Sequence, residues 1–223
     1  MEKYGEIPKR FTKEWWSYFW DYYKWHVIGG AVALAMIIIT AVQLMSKVAY
    51  DEIVTYIGEA SYSDSAVGDI ADSLAEIIPD VNNNGKNDVG FQVLQMAKSA
   101  SGAENPQYTA ALETKKTFEI QFGEGFVFLL DKDRVDNLTA TGLAEAFMPA
   151  DEWMSKNKSG KANETVGTYF VKLKSNKFFS ERGFETDDIY VGVRALRADE
   201  KDEADKKTLD AAINIAEYLI ANS

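Results

Sequence analysis

From Val27 to Ser46 the chain reads VIGGAVALAMIIITAVQLMS, 20 residues with no ionisable side chain between His26 and Lys47. At about 1.5 Å per residue a helix of that length is roughly 30 Å long, the thickness of a bilayer's hydrocarbon core. A core helix of a soluble protein carries a polar stripe. Here only Thr40 and Gln43 interrupt the run. A cleaved signal peptide has a short basic start, a shorter apolar stretch and a small-x-small exit. This run follows 26 residues and leaves through Met45-Ser46-Lys47-Val48-Ala49-Tyr50, so it reads as an uncleaved anchor.

The flanks predict an orientation. Lys9, Arg10, Lys13 and Lys24 precede the run closely, and only Lys47 lies as near on the other side. Positive charge is retained in the cytoplasm, which places residues 1–26 inside, 27–46 in the membrane, and 48–223 outside as an extracytoplasmic domain at the cell surface. That last segment carries 18 basic and 31 acidic side chains, a net of −13. Such a domain repels phosphates and is no candidate for binding nucleic acid. The chain has no cysteine and a single histidine, His26, at the membrane edge. Disulfides, thiolate or histidine metal sites and Ser–His–Asp catalysis are thereby excluded from the outer domain. A carboxylate pair or a Ser–Lys pair remains chemically available, and Asp131 with Asp133 is the best-placed carboxylate pair.

Ahead of the span, nine of the 15 residues from Phe11 to Trp25 are aromatic. Tryptophan and tyrosine favour the bilayer interface, where an apolar ring and a polar tip are both satisfied. Lys13, Glu14, Ser17 and Asp21 gather on one helical face, which suits a helix lying in the interface with that face to water. The collar would also serve as a surface for a membrane-protein partner. The string WWSYFWDYYKWH followed by an apolar span resembles functionally uncharacterised single-pass membrane proteins of Gram-positive anaerobic bacteria. The resemblance implies an extracytoplasmic part with an Asp/Asn/Gly loop, and it implies no activity.

Beyond Tyr50 the pattern alternates strand and helix. Strands are predicted at Ile53–Ile57, Val89–Met96, Phe126–Leu130, Tyr169–Leu173 and Ile189–Leu196. Helices are predicted at Val67–Ile78 (capped by Asp64 or Ser65 and stopped before Pro79), Tyr108–Phe122 and Thr208–Ala221, with short ones at Val135–Leu138 and Gly142–Trp153. The continuous apolar run FVFLL marks a strand buried on both faces, and Asp199–Lys207 reads as a charged connector. The expected fold is α/β: one domain with a mostly parallel mixed sheet flanked by helices. The order, and the segment LETKKTFEIQFGEGFVFLLD, resemble one lobe of an extracytoplasmic solute-binding fold. That resemblance implies capture of a small molecule, but about 175 residues suffice for one lobe, and such ligands sit between two.

One motif carries chemistry. Asp80-Val81-Asn82-Asn83-Asn84-Gly85-Lys86-Asn87-Asp88 fits D-x-[DN]-x-[DN]-G-x-x-D. Asp80, Asn82, Asn84, the Lys86 carbonyl and Asp88 would wrap Ca²⁺, and Gly85 would make the sharp turn. The loop resembles calcium loops of EF-hand, dockerin and thrombospondin-type repeats, with Phe91 where a bidentate glutamate is expected. A bare Asn/Gly turn between helix and strand uses the same residues. The resulting expectation is a membrane-anchored binding or interaction module of unknown ligand, not an enzyme, with Ca²⁺ as a structural staple. An envelope hydrolase using carboxylates or a Ser–Lys pair is the alternative.

Overall fold

The computed structural model describes residues 8–45, 48–96, 106–154, 165–173, 176–184 and 188–223. Ser46 and Lys47, at the predicted end of the span, lie outside them. The chain divides into two compact units, residues 1–48 and 49–223.

The first unit is one helix, α1 (Lys13–Met45). Collar and span are therefore continuous, where a separate interfacial helix was expected for the collar. No proline falls within these 33 residues, and nothing else in the collar supplies a break. The helix is about 50 Å long, more than the 40–45 Å of a bilayer with its headgroups. It is long and apolar enough to cross a membrane.

The second unit is a mixed α/β domain. Its elements are β1 (Glu52–Gly58), α2 (Asp64–Ala75), β2 (Val89–Gln95), α3 (Pro106–Phe122), β3 (Val127–Asp131) and α4 (Lys132–Thr141). There follow α5 (Ala150–Met154), β4 (Thr165–Val166), β5 (Phe170–Leu173), α6 (Lys177–Ser180), β6 (Ile189–Val193) and α7 (Glu203–Ala221). The strand order is β2-β1-β3-β6-β5-β4. Pairing is parallel across β2-β1-β3 and antiparallel from β3 through β6 and β5 to β4. The sheet is mixed as expected, but parallel pairing is confined to one half of it.

Alternation along the strands separates two cores. Val54, Tyr56, Val127, Leu129, Val191 and Val193 face one side, under α2 (Ile70, Leu74), α7 (Ile215, Ala216, Leu219), Trp153 and Phe179. Ile57, Phe128, Leu130 and Tyr190 face the other, under α3 (Ile120), α4 (Val135, Leu138) and Phe147. The helices α2 and α3 lie on opposite faces because the chain leaves β1 toward one edge and returns past it from β2. Right-handed crossovers in opposite directions must use opposite faces.

Two local readings shift. Ser63, not Asp64 or Ser65, caps α2, its hydroxyl accepting the Ala66 N–H at 3.3 Å. The last helix begins inside the charged connector, where Asp202 and Asp205 form a reciprocal capping box. A side-chain acceptor at the first free N–H groups is enough to draw Glu203–Lys207 into the helix.

Candidate functional site

Two places bring chemistry-bearing residues together. They lie at opposite ends of the parallel strands, the first at their amino ends and the second at their carboxyl ends.

The first is the predicted metal loop, which precedes β2. Asp80 Oδ1 accepts the Asn84 N–H at 3.2 Å and Oδ2 the Gly85 N–H at 2.8 Å. Asn82 Oδ1 accepts the same Asn84 N–H at 3.0 Å, and Asn84 Oδ1 the Lys86 N–H at 2.8 Å. Three of the five expected ligands, Asp80, Asn82 and Asn84, thus turn their oxygens into the loop. Lys86 closes the turn through its backbone. Asn83 and Gly85 take positive φ, 57° and 85°, as the tight turn requires. Among the described residues no three acidic or histidine side chains converge on a metal position. A cation here would rest on amide and backbone oxygens beside Asp80 and Asp88, a hard-ligand set that fits Ca²⁺ and not a transition metal.

The residue that holds the loop escaped the motif. Asp51 is 2% exposed. Its Oδ1 accepts the N–H groups of Val81 and Asn82 at 2.7 and 2.9 Å, and its Oδ2 that of Asp88 at 2.8 Å. Its own N–H donates to the Asp88 carbonyl at 2.8 Å. The Asn82 amide donates to the Ala49 carbonyl at 2.7 Å. The loop is therefore clamped onto the stem that enters β1.

The second place is the crevice at the carboxyl ends of β1 and β3. The chain leaves β1 for α2 on one face and β3 for α4 on the other. In open α/β sheets this divergence is where ligands sit. A cleft of about 390 Å³ opens here, lined by Tyr56, Glu59, Ala60, Tyr62, Asp131, Asp188 and Ile189. Asp131 occupies the N-cap position of α4 yet makes no cap bond. Its carboxylate points into the crevice instead, accepting the Tyr56 hydroxyl at 2.9 Å and the Glu59 N–H at 2.7 Å. The Ala60 N–H donates to the Tyr56 oxygen at 3.2 Å. A Cβ at Gly58 would run into both the Tyr56 hydroxyl and the Asp131 carboxylate, so the close approach needs glycine.

Burial pushes the Asp131 carboxyl above the usual carboxylate range, and the charge of Glu59 pushes the same way. The two hydrogen bonds and Arg134 pull against it. Burial, then the neighbouring Asp131 charge, raises the Tyr56 phenol, which stays a donor at any physiological pH. The aromatic wall is continuous: Tyr62 stacks on Phe184 with centroids 3.8 Å apart, and Tyr56 meets both edge-on. Asp188 pairs with Lys172 at 3.0 Å. Asp133, expected to partner Asp131, is exposed in the first turn of α4 and does not line the cleft.

Comparison with known proteins finds no family model, no curated protein and no solved structure that matches the chain.

Proposed function

We propose that the chain is a membrane-anchored, extracytoplasmic binding module whose cleft between β1 and β3 takes a small ligand bearing an ammonium group. One observation carries the reading: among the described residues the cleft lining has three carboxylates, of which Asp188 is paired with Lys172, two tyrosines and no cationic side chain of its own. A buried carboxylate with a raised pKa gains most from a cation that neutralises it, and tyrosine faces attract ammonium groups. The resemblance to a solute-binding lobe supports the same reading. The cleft alone covers such a ligand on one side, so millimolar to micromolar affinity is expected, not tight capture.

Titration calorimetry with ethanolamine, choline and putrescine tests it. At least one amine is expected to bind, and Asp131→Asn to weaken it about tenfold or more, the loss of one charge-assisted contact. Binding should strengthen as pH rises through the Asp131 pKa, since the neutral acid offers no charge. Indifference to all three amines, or equal binding by Asp131→Asn, overturns the cleft as an ammonium site.

The lysine bias around the span supports an N-terminus in the cytoplasm and the domain outside. In intact cells an impermeant maleimide is expected to modify Ser223→Cys and to spare Ser17→Cys. The reverse pattern defeats the orientation. With its N-terminus inside, the aromatic collar faces the cytoplasmic interface, where it is available to a membrane-protein partner.

Calcium is proposed as a staple of the Asp80–Asp88 loop. A ligand that binds only the folded state adds RT ln(1 + [L]/Kd), about 1.4 kcal/mol for about 3 mM calcium and a Kd of about 0.3 mM. The expected melting shift is about 3–6 °C, smaller with magnesium and absent in Asp80→Ala. Coincident melting curves with calcium and with chelator leave the loop a turn closed by its own hydrogen bonds.

A further inference from the structure

We infer that β2 is a self-pairing edge, by which two copies of this chain join antiparallel across a two-fold axis at Gln92. Neither the ammonium cleft nor the calcium loop takes part.

β2 ends the sheet on its side. The direction of its backbone groups follows from its two ends. The Asp51 N–H donates to the Asp88 carbonyl, and the Met96 N–H to the Gly58 carbonyl, so positions 88 and 96 face β1. Backbone groups alternate from side to side along a strand. Gly90, Gln92 and Leu94 therefore turn theirs to β1, and the N–H and C=O groups of Val89, Phe91, Val93 and Gln95 point away from the sheet. Among the described residues nothing bonds to these outward groups. Sheet edges are ordinarily guarded by charge, proline, a bulge or brevity. VGFQVLQ has no charge and no proline, and its seven residues pair with β1 without a break in register.

The geometry selects the occupant. A row of open N–H and C=O groups is matched by another strand. In an antiparallel pair each bonded residue exchanges both groups with the residue opposite. Pairing β2 with its own copy about Gln92 sets Val89 opposite Gln95 and Phe91 opposite Val93, each twice. That register satisfies all four outward residues of both chains, whereas a slip of two residues leaves Val89 or Gln95 unpaired. The side chains agree with it. Phe91 and Val93 are half-buried and lie on the face under α2. An aromatic opposite a β-branched residue is a favourable cross-strand pair, and each copy here covers what the other leaves open. At the axis, on the other face, stands Gln92, whose amide donates to Glu119 of α3 at 3.3 Å. The domain's net charge of −13 opposes association, but no charged side chain falls within the strand pair itself. The sheet's other edge, β4, is two residues long, so strands have no room to add there and the assembly closes at two.

The chain has no cysteine, so one introduced thiol reports one position. Residues facing each other at a non-bonded site of an antiparallel pair have Cα atoms about 4.5 Å apart, within the range that a disulfide spans. The full chain is studied in detergent with micelles in excess, in high salt that screens the acidic copies from one another. Under mild oxidation Gln92→Cys is expected to form a disulfide dimer several-fold faster than Asn214→Cys, whose position is exposed on α7. Adding Val93→Lys to Gln92→Cys sets an ammonium opposite Phe91 and should slow the linkage several-fold, although it lowers the net negative charge. Gln95→Pro should also slow it, from an exposed position whose N–H points outward, so the ladder to β1 is kept. Circular dichroism melting checks that each variant is folded, and either folded variant decides. Equal linkage at 92 and 214 refutes the edge. Linkage at 92 that the folded variants do not slow shows random encounter, and also refutes it. Gln95→Cys thiols stand about 20 Å apart in this register and should link no faster than those of Asn214→Cys. Fast linkage at 95 overturns the antiparallel pairing.

Discussion

Asp51→Ala is expected to cost the domain about 4 kcal/mol, a fall in melting temperature of about 8–16 °C for a unit of this size. Three backbone N–H groups, those of Val81, Asn82 and Asp88, end on this one buried carboxylate. Each bond to a charged acceptor contributes about 1.5–3 kcal/mol, and the three are not additive because they share an acceptor. Removing it leaves donors that water reaches poorly. Asp80 also accepts two N–H groups, but it is more exposed and water substitutes for it; Asp80→Ala should cost about 1 kcal/mol. Urea unfolding of residues 49–223 measures both. Equal losses at the two positions would show that the loop is held from within and not from the stem.

Glu52 sets the second large effect, in the pH dependence. It is 2% exposed, accepts the Phe126 and Val127 N–H groups on Oε1, and leaves Oε2 buried without a hydrogen-bond partner among the described residues. Burial lifts its pKa from 4.5 to about 8, against the pull of those N–H groups and of Arg194. A raised carboxyl is neutral in the folded state while the unfolded chain ionises freely. Its contribution is whole below about pH 4.5 and is lost as pH rises to about 8. At about 1.4 kcal/mol per unit the span is worth on the order of 3–5 kcal/mol. Glu52→Gln cannot ionise and keeps an acceptor for both N–H groups. Its stability should match the native chain near pH 4.5 and exceed it by that amount at pH 8 and above. Parallel stability curves for the two proteins across that range would place the titrating group elsewhere. Asp131, also raised, contributes a slope of the same sign that Glu52→Gln leaves in place.

How far the fold was readable follows from what each signal encodes. FVFLL reads as a strand buried on both faces, and β3 is that: Val127 and Leu129 enter one core, Phe128 and Leu130 the other. The register of Ile213, Ala216 and Leu219 gives α7 because one face of a long helix repeats often enough to be counted. Two-residue β4 and four-residue α6 repeat nothing and pass unnoticed. Strand direction is not written in the composition of a run, so a mixed sheet was expected but the share of it that is parallel was not legible. The loop Asp80–Asp88 is legible because its ligating types are adjacent. The cleft is not, since Tyr56, Asp131 and Asp188 meet only after β3 is laid beside β1 and β6 beside β3. Asp51 carries no signal at all: 30 residues before Val81, it reads as part of a stem.

The stem's direct entrance into β1 has a mechanical consequence. β1 is an inner strand, held by seven register pairs to β2 and four to β3, both parallel. Tension applied at Ala49 along the direction of β1 strains those ladders in shear, so many hydrogen bonds must yield together. A terminal edge strand pulled crosswise would instead peel open one bond at a time. The loop that grips Ala49 and Asp51 takes the load before the sheet does. A domain entered through an inner strand in this way resists a pull on the residues ahead of it better than one entered through an edge strand.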